Sequence, residues 1–320
     1  MISRFKITDK ANGKVIRCLH LLKLIFKTHN HLSADGRKTI SDTTQKNRWN
    51  IMQSIFVELA EMGYVISKPQ NLKMKHIEAI TQRWVKSYLA PKTFANYFSV
   101  LNVYCRWIKK PELMTQLDKS HIPADKLYCP MKATSDKDWS KTDDFLNIMV
   151  KVIAKDIIVG TQLLLMHEFG LRMSEALCLR PWVADCKMVL QVNWGTKNGR
   201  VRSIPIETKH QKHVLNFAKS LLPSSCKSYS LIPRDKTLKQ AKNRFYYIVR
   251  KHGVSIKNGR VSHGLRHGYV HRKLEKESGQ QAPIVSGKPC IQTPELKVAR
   301  LKTSASVGHS RESIIGAYGG

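Results

Sequence analysis

Apolar residues recur every three or four positions through residues 41–108, and this spacing restricts the segment to helices. In SDTTQKNRWNIMQSIFVELAEMGY the series runs from Trp49 and Met52 to Met62. Two further series follow in LKMKHIEAITQRWVKSYLA and PKTFANYFSVLNVYCRWIKK, with a break at Pro91. Because side chains at i, i+3 and i+4 share one face of a helix, these segments predict three amphipathic helices around a common core.

The positions outside these apolar faces are rich in lysine and arginine. Such a basic outer face is suited to contacting a phosphate backbone. For any one of these residues, a solvated charge remains the simpler interpretation. The predicted phosphate-backbone contacts on these helices, which would be DNA contacts if the polyanion is DNA, are Lys73, Lys75, Arg83, Lys86, Lys92 and Arg106.

The sequence around these helices predicts two domains and their boundaries. Residues 113–134 are predicted as a linker, because Pro123 and Pro130 lie there among polar residues without a sustained period. The helical domain is then residues 30–112 and the second domain residues 135–320. Residues 1–29 form a basic N-terminal segment, with the apolar run CLHLLKLIF as a short helix that either caps the helical domain or adds a DNA contact.

The second domain is mostly helical with a short β interlude. KMVLQV and RVRSIPI have the composition of strands, and Asn198-Gly199 between them is typical of a hairpin tip. Helical patterns resume on either side, and residues 278–294 predict an irregular loop. The expected fold class is therefore mainly α with a small antiparallel β-sheet.

The formal charge is +32, and it is spread over the whole chain. Residues 1–130 carry 22 Lys and Arg against 9 Asp and Glu, and residues 131–320 carry 33 against 14. A long polyanion that contacts both domains is the expected partner, since releasing its counterions favours binding. A ribosomal or membrane-surface protein is the alternative from charge alone.

Cysteine usage and hydropathy indicate the compartment. The seven cysteines are scattered and include no C-x-x-C pair, which favours reduced thiols in the cytoplasm over disulfides or a zinc ribbon. No apolar segment reaches the roughly 18–20 residues that span a bilayer. We expect a cytoplasmic protein without a membrane partner, associated with the nucleoid if its polyanion is DNA.

The segment VSHGLRHGYVHRKL places His263, Arg266, His267 and His271 along one stretch of helix. A hydrolytic zinc site of the H-E-x-x-H type needs a glutamate where Gly264 stands, and the neighbouring arginine would repel a dication. We therefore expect no metal. Packing explains single histidines here, but the cluster is better suited to phosphate.

The same residue types recur elsewhere in order. Arg172 begins a helix in EFGLRMSEALCL with Glu175 one turn on, Lys197 lies at the hairpin tip, and His309 precedes Tyr318 by nine residues. Arginines can stabilise the charge of a pentacoordinate phosphorus, and a lysine can protonate the departing 5′ oxygen. Histidine can accept the tyrosine proton while the tyrosine attacks. This set can cut a phosphodiester without metal or other cofactor.

These motifs, taken in order, resemble those of the tyrosine recombinase (phage integrase) family. The first arginine box resembles GLRMSEALCL, the hairpin lysine falls in TKNGRVRSIP, the H-x-x-R box is HGLRH, the G-H-S box is VGHS, and the nucleophile follows nine residues later. The resemblance implies a catalytic set of Arg172, Lys197, His263, Arg266, His309 and Tyr318. Glu175 and His267 would support these groups, and Arg200 and Arg202 near the hairpin would contact DNA. Arg200 competes with Lys197 for the lysine's role.

The resemblance also implies an architecture and an activity. A helical core-binding domain and a mixed α/β catalytic domain would form a clamp around double-stranded DNA. Cleavage would proceed through a 3′-phosphotyrosyl link, and a homotetramer would exchange strands to integrate or excise a mobile element in a bacterium, with accessory DNA-bending or directionality proteins as further partners. A type IB topoisomerase-like relaxer and a non-catalytic DNA-binding protein are the alternatives.

Two features depart from the family pattern. The distance from Arg266 to His309 exceeds that of compact members, so residues 278–294 are interpreted as an insertion. The sequence ends two residues after Tyr318, where many members of the family continue with a helix that docks on a neighbouring subunit.

Overall fold

The computed structural model describes residues 9–129 and 132–320. The chain forms two compact units, Met1–Pro130 and Met131–Gly320. The start of the predicted N-terminal segment (residues 1–8) and two residues of the predicted linker (130–131) lie outside the described residues.

The first unit is helical and is built around aromatic packing. The three predicted helices are present, and Ser41 caps the second helix by accepting a hydrogen bond from the backbone N–H of Thr44. Trp84 and Tyr104 lie in the core and contact neighbouring aromatic rings edge to face. The helices are α1 (Asp9–His29), α2 (Asp42–Glu61), α3 (Met74–Lys86), α4 (Pro91–Trp107), α5 (Glu112–Thr115) and α6 (Ala124–Leu127).

Two segments that the sequence placed outside the helical domain pack into its core. Helix α1 contributes Leu22 and Phe26 from its apolar face. The predicted linker contributes Leu113, Leu117 and Ile122, which are all buried. Helices α5 and α6 have only four residues each, too few to repeat an apolar spacing, so the sequence pattern did not reveal them.

The second unit is a layered helical body with one hairpin. Its elements are α7 (Asp144–Lys155), α8 (Ile157–Phe169), α9 (Met173–Cys178), α10 (Pro181–Ala184), β1 (Val189–Val192), β2 (Arg202–Pro205), α11 (Lys209–Ser220), α12 (Leu238–Lys251), α13 (Ser262–Ser278), α14 (Pro283–Ser286), α15 (Pro294–Ser306) and α16 (Gly316–Gly319). Strands β1 and β2 pair antiparallel, with Val192 opposite Arg202. The fold confirms the predicted class, mainly α with a small antiparallel sheet.

Helix α8 lies at the centre of this unit and is buried on most sides, packed against α7, α11 and α13. It ends at Gly170, whose φ of +60° is in the left-handed region. A Cβ at Gly170 would lie 2.3 Å from the ring of Tyr269 on α13, so glycine is required both for the turn and for the close packing. Arg172 follows two residues after this turn, close enough for its charge to act on Arg266 of α13.

Within residues 9–129 and 132–320, no helix combines the length and apolar character needed to cross a membrane.

Candidate active site

Arg172 is fixed at the start of α9 by Glu175. The backbone N–H of Arg172 donates to Glu175 Oε2 at 2.7 Å, and its Nη1 donates to Glu175 Oε1 at 2.8 Å. Glu175 thus closes the first turn of the helix and orients the guanidinium at the same time. The Arg172 side chain is 21% exposed, so one edge stays open to a ligand.

Glu175 is fully buried and forms a two-point contact with Arg202 on β2. Arg202 Nη1 and Nη2 donate to the two carboxylate oxygens at 2.9 and 2.7 Å, and Arg202 Nε donates to the carbonyl of Ser306. Burial alone would raise the pKa of Glu175, but the hydrogen bonds and charge of Arg202 and the charge of Arg266 lower it to about 2.

This contact corrects the prediction that Arg202 binds DNA. Its side chain is 5% exposed and its three nitrogens are used within the protein. Alternation along the hairpin explains the error, because Arg202 points to the buried face of β2 while its neighbours point to solvent. The sequence placed Arg202 near the hairpin lysine but could not tell which face it occupies.

Arg266 is fully buried in the second turn of α13. Its Nη1 donates to the carbonyl of Gly170 at 2.5 Å, its Nη2 donates to the carbonyl of Val307, and its Nε donates to Tyr318 Oη at 3.1 Å. Burial lowers the pKa of Arg266 to about 10, so the guanidinium remains charged at neutral pH. The charge is therefore available beside the tyrosine hydroxyl.

Tyr318 on α16 is the residue on which the others converge. Its hydroxyl oxygen lies 3.1 Å from Arg266 Nε and 3.4 Å from His309 Nε2. Its ring packs against the His267 ring with a centroid distance of 4.8 Å. The side chain is buried, so the structure places the hydroxyl inside this chain's own site.

His309 follows α15 and faces both Arg172 and Tyr318. Its Nε2 lies 3.2 Å from Arg172 Nη2. A guanidinium can only donate, so Nε2 accepts and the neutral ring carries its proton on Nδ1. Burial, followed by the charges of Arg172 and Arg266, lowers the pKa of His309 to about 4. At neutral pH this nitrogen is an unprotonated acceptor directed at the tyrosine hydroxyl.

His263 lies in the first turn of α13, at the open side of the site. Its ring centroid is 6.2 Å from that of Tyr318. The residue is exposed and lines a cavity beside Arg260. Desolvation by the surrounding protein lowers the pKa of His263 to about 4, and the charges of Arg266 and His267 contribute. His263 is thus neutral and accessible to a ligand that enters from solvent.

Lys197 and Arg200 lie on the exposed turn between β1 and β2. Neither side chain forms a hydrogen bond within the described ranges 9–129 and 132–320, so both cations are free to meet a ligand. The charges of both act on His309 and contribute to its low pKa, which places them near the site but outside its hydrogen-bonded centre.

Sequence reasoning placed His271 in the histidine cluster but gave it no contact with the tyrosine. His271 Nε2 lies 2.9 Å from the backbone carbonyl oxygen of Tyr318, one helical turn beyond His267. The available signal was the spacing of four from His267, which places both histidines on the same face of α13. Across the described residues, no group of three or more His, Cys, Asp or Glu side chains is arranged to hold a metal ion.

The predicted DNA contacts of the first unit differ in their surroundings. Lys73, Lys75, Lys86, Lys92 and Arg106 are exposed. Arg83 instead forms ion pairs with two glutamates, with Glu61 at 2.7 Å and with Glu58 at 3.7 Å.

Comparison with known proteins shows which family this chain resembles in sequence and fold. The family profile described as phage integrase, N-terminal, matches residues 32–113, and the profile described as integrase matches residues 132–272. A lambda integrase dimer bound to a COC′ core site aligns with a TM-score of 0.58 at 15% identity, over 94% of this chain and 94% of that chain. The Tn1549 transposon integrase in complex with transposon right end DNA aligns with a TM-score of 0.56 at 15% identity, over 93% and 94%. Comparison with curated proteins gives no significant match.

The two family profiles and the shared fold identify the class of protein. The chain belongs to the tyrosine recombinase (phage integrase) family and is a site-specific recombinase.

Proposed function

We propose that this protein cuts and rejoins double-stranded DNA through a 3′-phosphotyrosyl intermediate, in order to integrate or excise a mobile genetic element. The observation that carries the proposal is the Tyr318 hydroxyl, which lies between a charged donor, Arg266 Nε, and a neutral acceptor, His309 Nε2. A nucleophile needs such a base to take its proton as it attacks.

In the first step, Tyr318 Oη bonds to phosphorus while the bond from phosphorus to the 5′ oxygen breaks. The tyrosine proton passes to His309 Nε2, and Lys197 supplies a proton to the departing 5′ oxygen. Arg172 and Arg266 stabilise the added negative charge of the pentacoordinate phosphorus, and Glu175 holds Arg172 in place for this role. At the open side, the N–H of the neutral His263 ring donates a hydrogen bond to a phosphate oxygen.

In the second step, the 5′ hydroxyl of a partner strand attacks the same phosphorus and releases tyrosine. Lys197 takes the proton of the attacking 5′ hydroxyl, and His309 returns its proton to the tyrosine oxygen. The phosphodiester is thus restored without ATP, metal or another cofactor. Joining to a partner duplex rather than to the original end produces recombination.

Strand exchange between two duplexes requires several copies of this chain. A lambda integrase tetramer bound to a Holliday junction has the same fold, with a TM-score of 0.55 at 15% identity over 91% of this chain and 73% of that chain. We propose a homotetramer on synapsed DNA, with accessory bending or directionality proteins, in the cytoplasm at the nucleoid. The exposed basic residues of the first unit would contact phosphates.

Covalent capture tests the proposed chemistry. The protein is incubated in EDTA with a library of random duplexes carrying a nick, so that a cleaved end diffuses away and the adduct accumulates. We expect SDS-resistant adducts from wild type and from Tyr128→Phe, an exposed control tyrosine, and none from Tyr318→Phe. Sequencing the captured DNA gives the target site. DNA binding without any adduct from wild type would contradict the proposed activity.

A further inference from the structure

The residues that open the second unit lie against both elements that carry the site. We call residues 132–140 the strap. The backbone N–H of Ala133 donates to the carbonyl of Gly316 in α16 at 2.7 Å, and Trp139 Nε1 donates to the carbonyl of Val261 before α13 at 2.8 Å. The strap therefore connects the helix that carries Arg266 to the short helix that carries Tyr318.

Two glycines of α13 allow the strap to approach this closely. A Cβ at Gly264 would lie 2.1 Å from the carbonyl oxygen of Lys137, and one at Gly268 would lie 2.4 Å from Asp138 Oδ1. Any side chain at either position would displace the strap backbone or the Asp138 carboxylate. The close packing fixes the strap on the face of α13 next to His267 and His271.

His271 connects this assembly to the backbone of the nucleophile. It is 3% exposed, and its Nε2 lies 2.9 Å from the Tyr318 carbonyl oxygen. A carbonyl only accepts, so Nε2 carries the proton and donates. The other ring nitrogen, Nδ1, is buried without a hydrogen-bond partner among the described residues and lies 3.8 Å from Asp136 Oδ1 of the strap.

We propose that His271, supported by Asp136 and the strap, is a positioning residue that sets where the Tyr318 hydroxyl lies. This inference rests on the proposed phosphotyrosyl chemistry. Tyr318 is held at both ends, by His271 at its carbonyl and by Arg266 and His309 at its hydroxyl. Helix α16 has only four residues, so its own hydrogen bonds cannot fix its position.

The proposal predicts a loss of tyrosine attack without loss of DNA binding. A misplacement of about 1 Å can cost on the order of 10²-fold in rate. We expect His271→Phe, which keeps a ring but loses the donor, to form adducts about 10- to 100-fold more slowly. His271→Gln, which keeps an N–H donor, should recover most of the rate. The Kd for the captured site should stay within about twofold for both variants, since His271 is buried and does not reach the exposed surface.

An external nucleophile separates positioning from damage to the phosphate site. In Tyr318→Phe, hydroperoxide can attack the same phosphorus, and the 5′ oxygen leaves with a proton as in the normal reaction. That cleavage needs Arg172, Arg266 and the general acid, but no tyrosine. Adding His271→Phe to Tyr318→Phe should leave hydroperoxide cleavage within about twofold, because His271 acts only through the tyrosine backbone.

The outcomes distinguish this inference from the proposed function. Slow adduct formation in His271→Phe, rescue in His271→Gln and unchanged hydroperoxide cleavage support positioning. Equal adduct rates in wild type and His271→Phe overturn the positioning role and leave the phosphotyrosyl chemistry standing. An equal loss of tyrosine and hydroperoxide cleavage also overturns it, in favour of a general structural role. If wild type forms no adduct, the chemistry itself fails and this inference fails with it.

Discussion

Glu175 is the buried carboxylate on which two arginines of the site depend. Glu175→Gln keeps the shape of the side chain but leaves Arg202 as a buried charge without its counterion. Removing one partner of a buried ion pair costs about 3–5 kcal/mol. We expect the free energy of unfolding at pH 7 to fall by about this amount, as measured by urea denaturation. Glu295→Gln, at an exposed glutamate, should leave the free energy of unfolding nearly unchanged.

The same carboxylate predicts how stability depends on pH. Folding lowers the pKa of Glu175 from 4.5 to about 2, so the native state favours the ionised form. Its contribution, about 3 kcal/mol, is complete above pH 4.5 and is lost as the pH falls towards 2. Urea unfolding in wild type should show about 2 kcal/mol of this loss between pH 7 and pH 3, because pH 3 is still above the native pKa of Glu175. A loss of equal size in Glu175→Gln would assign the acid sensitivity to other groups.

His309 gives a prediction for the reaction rather than for stability. The neutral ring is the proposed base, and its pKa of about 4 makes that form dominant above pH 5. The second-order rate of adduct formation, which reports the free enzyme, should therefore be free of a histidine limb between pH 5.5 and 8 and should fall below pH 5. His309→Gln should lower the rate about 10²- to 10⁴-fold, while His213→Gln, at an exposed histidine of α11, should not.

At the scale of elements, the β1–β2 hairpin carries the exposed cations Lys197 and Arg200, and one substrate change decides which of them acts as the general acid. If Lys197 protonates the 5′ oxygen, Lys197→Ala should slow cleavage about 10²- to 10⁴-fold. A duplex with sulfur in place of the bridging 5′ oxygen has a leaving group that needs no proton, because a thiol is far more acidic than an alcohol. Cleavage of that duplex by Lys197→Ala should match wild type. Rescue of Arg200→Ala instead would transfer the role to Arg200.

Helix α14, in the loop predicted as an insertion, packs against α16. Ala282 is 1% exposed, and a Cβ at Gly319 would lie 3.0 Å from the Cβ of Ala282. Ala282→Leu overfills this contact and should cost about 1–3 kcal/mol of stability while displacing Tyr318. Adduct formation should slow in Ala282→Leu and stay unchanged in Ala305→Leu, at an exposed alanine of α15. Equal rates in both would show that α14 does not support the tyrosine.

The elements that the sequence predicted are those with enough residues to repeat a period. Helices α2, α3 and α4 and the hairpin satisfy this condition. Helices α5, α6 and α14 have four residues each and are fixed by tertiary packing, so they escaped sequence reasoning. The candidate site could be predicted from the sequence because its motifs are local in sequence. The contacts of Arg202 and His271 could not be predicted, since each depends on a residue more than 25 positions away.

At the scale of the whole molecule, the charge of +32 favours a polyanion, but charge alone does not say which residues meet it. Burial and ion pairing indicate which basic residues are available to bind the polyanion. Arg106 on α4 is exposed and forms no ion pair within the described part of the chain, whereas Arg83 on α3 is paired with two glutamates. A guanidinium held by carboxylates gives up existing contacts when it binds phosphate, so its net contribution is smaller.

This difference predicts unequal salt dependence for two otherwise similar arginines. Each phosphate contact contributes about 0.9 to the slope of log Kd against log salt concentration on duplex DNA. Arg106→Gln should lower that slope by about 0.9, on the captured site and on unrelated duplexes alike, because phosphate contacts carry no base information. Arg83→Gln should lower it less, since its charge is already neutralised by Glu58 and Glu61. Fluorescence anisotropy titrations at salt concentrations from about 50 to about 300 mM measure both slopes. A larger change for Arg83→Gln than for Arg106→Gln would mean that DNA displaces the glutamates and that α3 rather than α4 contributes the stronger phosphate contact.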